Sequence, residues 1–111
     1  MGGSRGRGLV HRGLRKDLLK LGLQQGEDRA TKAHLAVAIN KILNEAHLSQ
    51  ASAARVLGIS QPKVSALANF KLEGFSVERL LTFLNALGRD VEITIRKRRF
   101  PGEPRILVLA A

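Results

Sequence analysis

The stretch "QASAARVLGISQPKVSALAN", Gln50 to Asn69, sets alanines at 53 and 54, a glycine at 58 and a proline at 62 inside a run that otherwise reads as helical. The spacing predicts two short helices in close contact. Ser49 is placed to cap the first, which runs through Leu57. Gly58 closes it, since glycine best tolerates the left-handed turn of a helix end. Ser60 caps the second, and Pro62 falls in its first turn, where a missing N–H costs nothing. Ala54 marks the closest approach of the pair. Ile59, Val64 and Leu67 fill the angle from within, with Val56 or Leu57 as their counterpart.

The flanks are helical too. From Glu27 to His47, apolar residues at Leu35, Ile39, Ile42 and Ala46 follow a 3.6-residue period, with Ala36 and Leu43 widening the stripe. His34, Lys41 and Glu45 share the opposite side, and Glu27 and Asp28 suit the helix start. After "KLEG", Ser76 opens another helix, with Phe75 and Leu80 placed to staple across the cap. Leu80, Leu84 and Leu87 form its buried face, and Gly88 stops it. Helix, tight turn and helix between two amphipathic helices is the pattern of a DNA-binding helix-turn-helix.

The outward face of the second short helix agrees with that reading. With Val64 and Leu67 inside, Gln61, Pro62, Lys63, Ser65, Ala66 and Asn69 face out, and none is acidic. Gln can pair with adenine, Lys with guanine acceptors, and Pro62 or Ala66 can touch a thymine methyl. Ser49 and Gln50 at the start of the preceding helix can bond phosphate, and Ser60 stands at the start of the reading helix. The competing account of this stretch is a plain helical hairpin with solvated polar faces.

Composition points the same way. The chain has 111 residues and a formal net charge of +10, a balance that favours a polyanionic partner, nucleic acid first and anionic membrane second. Residues 1–26 carry six basic groups and one acid, so under a quarter of the length supplies half the excess. No cysteine is present, which excludes disulfides and thiolate metal sites and suits a reducing cytoplasm. No apolar run is long enough to span a bilayer, and no signal-peptide pattern opens the chain. Enzyme readings fail on inventory: His11, His34 and His47 lack metal spacing, no Ser lies near a His–acid pair, and "GGSRGRG" lacks the setting of a phosphate loop. Neither catalysis, a cofactor nor a metal is expected.

Three parts follow. Residues 1–16, with "GGSRGRG", read as a flexible basic arm. Residues 17–89 form the helical domain, with "DLLKLGL" at 17–23 as a short leading helix. Residues 90–111 turn to a period of two: Val91, Ile93 and Ile95 alternate with Glu92, Thr94 and Arg96 as a half-buried strand, and "RILVL" at 105–109 is placed to be a second. The fold class is therefore mainly α, a small helical bundle carrying the helix-turn-helix, with a C-terminal β-strand or hairpin. A lone hairpin is marginal in water, so Val91, Ile93 and Ile95 need a surface. A second copy would supply it, setting two reading helices about one DNA turn apart. The hairpin folding over its own helices, or accepting a strand of another protein, are the alternatives. "RKRR", Arg96 to Arg99, can clamp phosphate or an acidic partner, or can simply be solvated.

"QASAARVLGISQPKVSAL" followed by "GFSVERLLTFLNALGRDVEITIRKR" closely resembles XRE-family regulators of the HigA-like antitoxin type, over about Asp17 to Arg98. That resemblance implies a helical, lambda-repressor-like bundle and a cytoplasmic dimer that represses its own operon at a palindromic operator. It also implies a small toxin partner, commonly a ribosome-dependent mRNA endonuclease, that this protein would neutralise. Carried over by position, the DNA contacts are Gln50, Gln61, Pro62, Lys63, Ser65 and Asn69. Two rivals stay open: a stand-alone phage- or host-type regulator without a toxin, and an RNA-binding or nucleoid protein led by the Gly-Arg arm.

Overall fold

The computed structural model describes residues 25–98, 101–102 and 105–110. Among the described residues the helices are α1 (Gln25–Glu45), α2 (Gln50–Leu57), α3 (Gln61–Ala68) and α4 (Val77–Ala86). The expected arm at 1–16 and short helix at 17–23 lie outside the described residues.

Each short helix starts on a serine. Ser49, Ser60 and Ser76 sit in extended backbone and accept the N–H of Ser52, Lys63 and Arg79 respectively, each bond satisfying an amide the helix cannot. In α1, Asp28 and Lys32 pair at 3.4 Å across one turn, in the favourable acid-first order. Phe75 and Leu80 are both buried, as a staple across the Ser76 cap requires.

All four helices end alike. A residue at or just after the cap turns left-handed, and the next N–H reaches back to a carbonyl of the last turn. Those bonds are Leu48 to Leu43, Ile59 to Ala54, Lys71 to Ala66 and Arg89 to Leu84, at 2.9–3.2 Å. The left-handed positions are His47, Gly58, Phe70 and Gly88, with φ of 54°, 70°, 58° and 79°. Two are the glycines the motif favours. At His47 and Phe70 a side chain bears the conformational cost instead.

α1 packs mainly on α4 and α2 on α3, with smaller α1–α3 and α2–α4 contacts. The core draws Leu35, Ala36, Ile39 and Leu43 from α1, Ala53, Ala54 and Leu57 from α2, and Val64 and Leu67 from α3. Phe75, Val77, Leu80, Leu81, Phe83 and Leu84 complete it. Each large buried side chain contributes about 1.5–3 kcal/mol, and aliphatic packing carries most of the core. Thr31 is buried too, and its hydroxyl has no hydrogen-bond partner among the described residues.

Several details differ from the sequence expectation. α1 begins and ends two residues earlier than Glu27–His47, and its buried stripe passes through Leu35, Ala36, Ile39 and Leu43, leaving Ala46 exposed. Leu57, not Val56, faces inward. α4 buries Val77, Leu81 and Phe83 as well, while Leu87 is only half-buried.

The C-terminal β-strand or hairpin is not found among the described residues. No strand forms at 91–98 or 105–110. Val91 and Ile93 are half-buried while Glu92 and Thr94 are exposed, so the alternation survives for one cycle, but Ile95 is 70% exposed. A period of two sets which way side chains face. A strand also needs a neighbour for its backbone groups, and these two segments form no ladder. Val91 and Val108 pack instead against the helical core.

Candidate nucleic-acid interface

Gly58 creates the turn on which the interface depends. Its φ of 70° lets α2 end and α3 begin within three residues, and Ile59, half-buried, anchors the corner. Burial of Val64 and Leu67 then fixes the rotation of α3 about its axis. That rotation leaves Gln61, Pro62 and Lys63 exposed in the first turn and Asn69 exposed at the C-cap, with Ser65 half-buried between them. Ala66 is half-buried against the core, and Ala68 is exposed. The fold therefore leaves Gln61, Pro62, Lys63 and Asn69 exposed around the outward half of α3, with Gln61 and Lys63 on opposite flanks.

Their side chains stand in different states. Asn69 donates its amide to the Ser65 carbonyl at 2.9 Å, so part of its bonding capacity is already used. Lys63 does not stand free over the face. It leans toward the next segment, with its ammonium 5.4 Å from the centre of the Phe75 ring, within cation–π range. Ser60 uses its hydroxyl as the cap of α3, at 3.4 Å from the Lys63 N–H. Ser49 caps α2 and bonds the Ser52 hydroxyl at 3.2 Å, while Gln50, first in α2, is exposed.

Two open hollows flank the start of α3. One, of about 500 Å³, is lined by Gly58, Ile59, Ser60, Lys63, Gly74, Phe75, Ser76 and Arg79. The other, of about 460 Å³, is lined by Ala51, Ala54, Arg55, Gly58, Ile59, Ser60 and Gln61. Cations therefore stand on both sides of the reading helix. Arg55 and Arg79 are absent from the residues expected to touch nucleic acid. Arg79 had a local signal, its four-residue spacing to Phe83, which puts guanidinium and ring on one helix face. The guanidinium lies 5.3 Å from that ring's centre. Arg55 is held by the Ser52 hydroxyl at 3.2 Å.

Val91, Ile93 and Ile95 line neither hollow: Val91 is drawn onto the core and Ile95 is left exposed. Among the described residues, no cluster of His, Cys, Asp or Glu could hold a metal ion, and no helix is long and apolar enough to cross a membrane.

Residues 18–96 match the family described as "Helix-turn-helix domain". A solved structure named "Putative XRE Family Transcriptional Regulator" is similar to the chain at 61% identity, with a TM-score of 0.76. The match covers 79% of this chain and 100% of that one. No curated protein matches. The chain belongs to the XRE family of helix-turn-helix transcriptional regulators.

Proposed function

We propose that this protein is a sequence-specific DNA-binding repressor that acts as a homodimer and by binding alone, without catalysis. The observation that carries the reading is the outward side of α3. Gln61, Pro62, Lys63 and Asn69 stand exposed on a helix rotated by the burial of Val64 and Leu67, with no acid among them. Gln61 at the helix start reads a base edge in the major groove, and the cations around it supply affinity through counterion release. Binding of the full chain to the DNA upstream of its own gene, compared with shuffled DNA of equal length, tests this. Equal affinity for both would sink it.

The dimer reading rests on apolar side chains beyond α4. Ile95, Leu107 and Leu109 are 70%, 60% and 87% exposed, and Ile93 is half-buried. A second copy would cover them and set two α3 helices on a two-fold axis. Sedimentation of the full chain decides between one copy and two.

The operon repressed is the protein's own, and the second role is neutralising a small RNA-cleaving toxin encoded beside it. This rests on the likeness of residues 50–67 and 74–98 to HigA-like antitoxins. Growth arrest by the adjacent small reading frame, relieved by co-expression of this chain, would support it. Arrest that this chain cannot relieve would leave a stand-alone regulator.

A further inference from the structure

The cleft between the start of α3 and the start of α4 contains an unusual arrangement of charge. Lys63 comes from α3 and Arg79 from α4, and both line the same hollow of about 500 Å³. Neither cation has a carboxylate within ion-pair distance among the described residues; the ion pair found there joins Lys32 and Asp28. Glu73 and Glu78 are close in sequence, yet neither bonds to Lys63 or Arg79. The cations are seated on aromatic rings instead, Lys63 on Phe75 at 5.4 Å and Arg79 on Phe83 at 5.3 Å.

The two rings are themselves joined. Phe75 and Phe83 meet edge to face, with centres 5.9 Å apart and planes at 76°. Both are almost wholly buried, at 3% and 2% exposure. A carboxylate would position a cation and cancel its charge. A ring positions it and leaves the charge uncancelled. The pair is thus held from below by rigid core side chains and stays fully positive toward the opening. Ser60 and Ser76 already occupy the N–H groups of Lys63 and Arg79, so the side-chain cations carry the attraction. Gly74 also lines the hollow, and its backbone lies close to the ammonium: a Cβ there would be in ordinary contact with Lys63 Nζ, at 3.7 Å.

We propose that this cleft holds one phosphate group, gripped by the Lys63 ammonium and the Arg79 guanidinium. Lys63 is then an anchor on the backbone of the nucleic acid and not a reader of guanine, and Arg79 is a second contact on a different helix. The inference rests on the DNA-binding reading for the source of that phosphate, a phosphodiester beside the groove that α3 enters.

The test uses the full chain and two variants, Lys63→Met and Arg79→Met, which keep an apolar stem over each ring. Affinity for upstream and shuffled DNA is measured across a range of salt, after thermal unfolding has shown that the variants remain folded. Loss of the phosphate contact should lower the slope of log affinity against log salt by about 0.9 per protomer in each variant, hence about 1.8 for a bound dimer, equally on both DNAs. Lys63→Arg should restore most of the slope. In parallel, inorganic phosphate is titrated into the DNA-free protein while the amide resonances of residues 74–79 are followed. Unchanged slopes with resonances that shift in the wild type alone would place a free phosphate in the cleft. Unchanged slopes and no shift would overturn the proposal. A lowered slope with no preference for upstream DNA would uphold the cleft while overturning the sequence-specific reading.

Discussion

The side-chain amide of Asn40, in the last third of α1, donates to the main-chain carbonyl of Leu67 near the end of α3, at 3.1 Å. The same carbonyl accepts the Phe70 N–H at 3.2 Å. One oxygen therefore joins the scaffold helix, the reading helix and the turn that ends it. The position of α3 relative to α1 depends on a directional bond as well as on packing.

Asn40→Ala is expected to cost about 1 kcal/mol, the net value of such a bond, because Leu67 keeps its second partner. Asn40→Asp should cost more, since a carboxylate would face a carbonyl at the negative end of a helix. Urea unfolding of the two variants gives the comparison. Aspartate tolerated as well as alanine would mean that the side chain turns away and the bond contributes little.

The helix ends form an internal control. Gly58 and Gly88 are left-handed, and a Cβ at either would meet nothing within 4 Å, so the cost of alanine there is conformational alone, about 1 kcal/mol. His47 holds the same geometry with an exposed side chain. Gly58→Ala and Gly88→Ala should therefore lower stability, while His47→Gly raises it by up to about 1 kcal/mol. Thermal unfolding of the three variants reads both signs. A loss of stability in His47→Gly would show that the imidazole makes contacts worth more than the strain.

What was legible in the sequence was local. Ser49, Ser60 and Ser76 cap the helices they were expected to cap, because a cap depends on four consecutive residues. Gly58 and Gly88 end α2 and α4 for the same reason. α1 was harder to register: its stripe is rich in alanine, which suits both buried Ala36 and exposed Ala46. The seat of Lys63 on Phe75 joins residues twelve apart through a tertiary contact, so no local spacing announces it. The strand at 91–96 went unrealised because alternation reports facing and says nothing about the neighbour a ladder needs. The candidate reading face followed from Val64 and Leu67, whereas the cations beside it required the fold.

The α2–α3 contact tolerates little volume. Ala53 and Ala54 are 2% and 8% exposed, so both alanines are enclosed in the core on a helix that packs mainly against α3, with Ala53 the more enclosed. Ala53→Leu should cost about 1–3 kcal/mol through overpacking and should tilt α3 away from α2. DNA affinity should then fall on every sequence, because the reading helix and the cleft beside it lose their relative placement. Retained affinity with lowered stability would mean that α3 is positioned by α1 alone.

Gln61 separates specificity from attraction. It is the first residue of α3, exposed, uncharged and without a bond to the protein among the described residues, so its removal disturbs neither the Ser60 cap nor the core. Gln61→Ala should cost about 1–3 kcal/mol on the DNA upstream of the gene if it makes a two-bond contact to one base. On shuffled DNA it should cost almost nothing, and the salt slope should not change, because no charge is lost. Binding isotherms on both DNAs at two salt concentrations separate these quantities. Equal weakening on the two DNAs would remove Gln61 from the reading face and shift the search for specificity to Asn69, whose amide would first have to leave the Ser65 carbonyl.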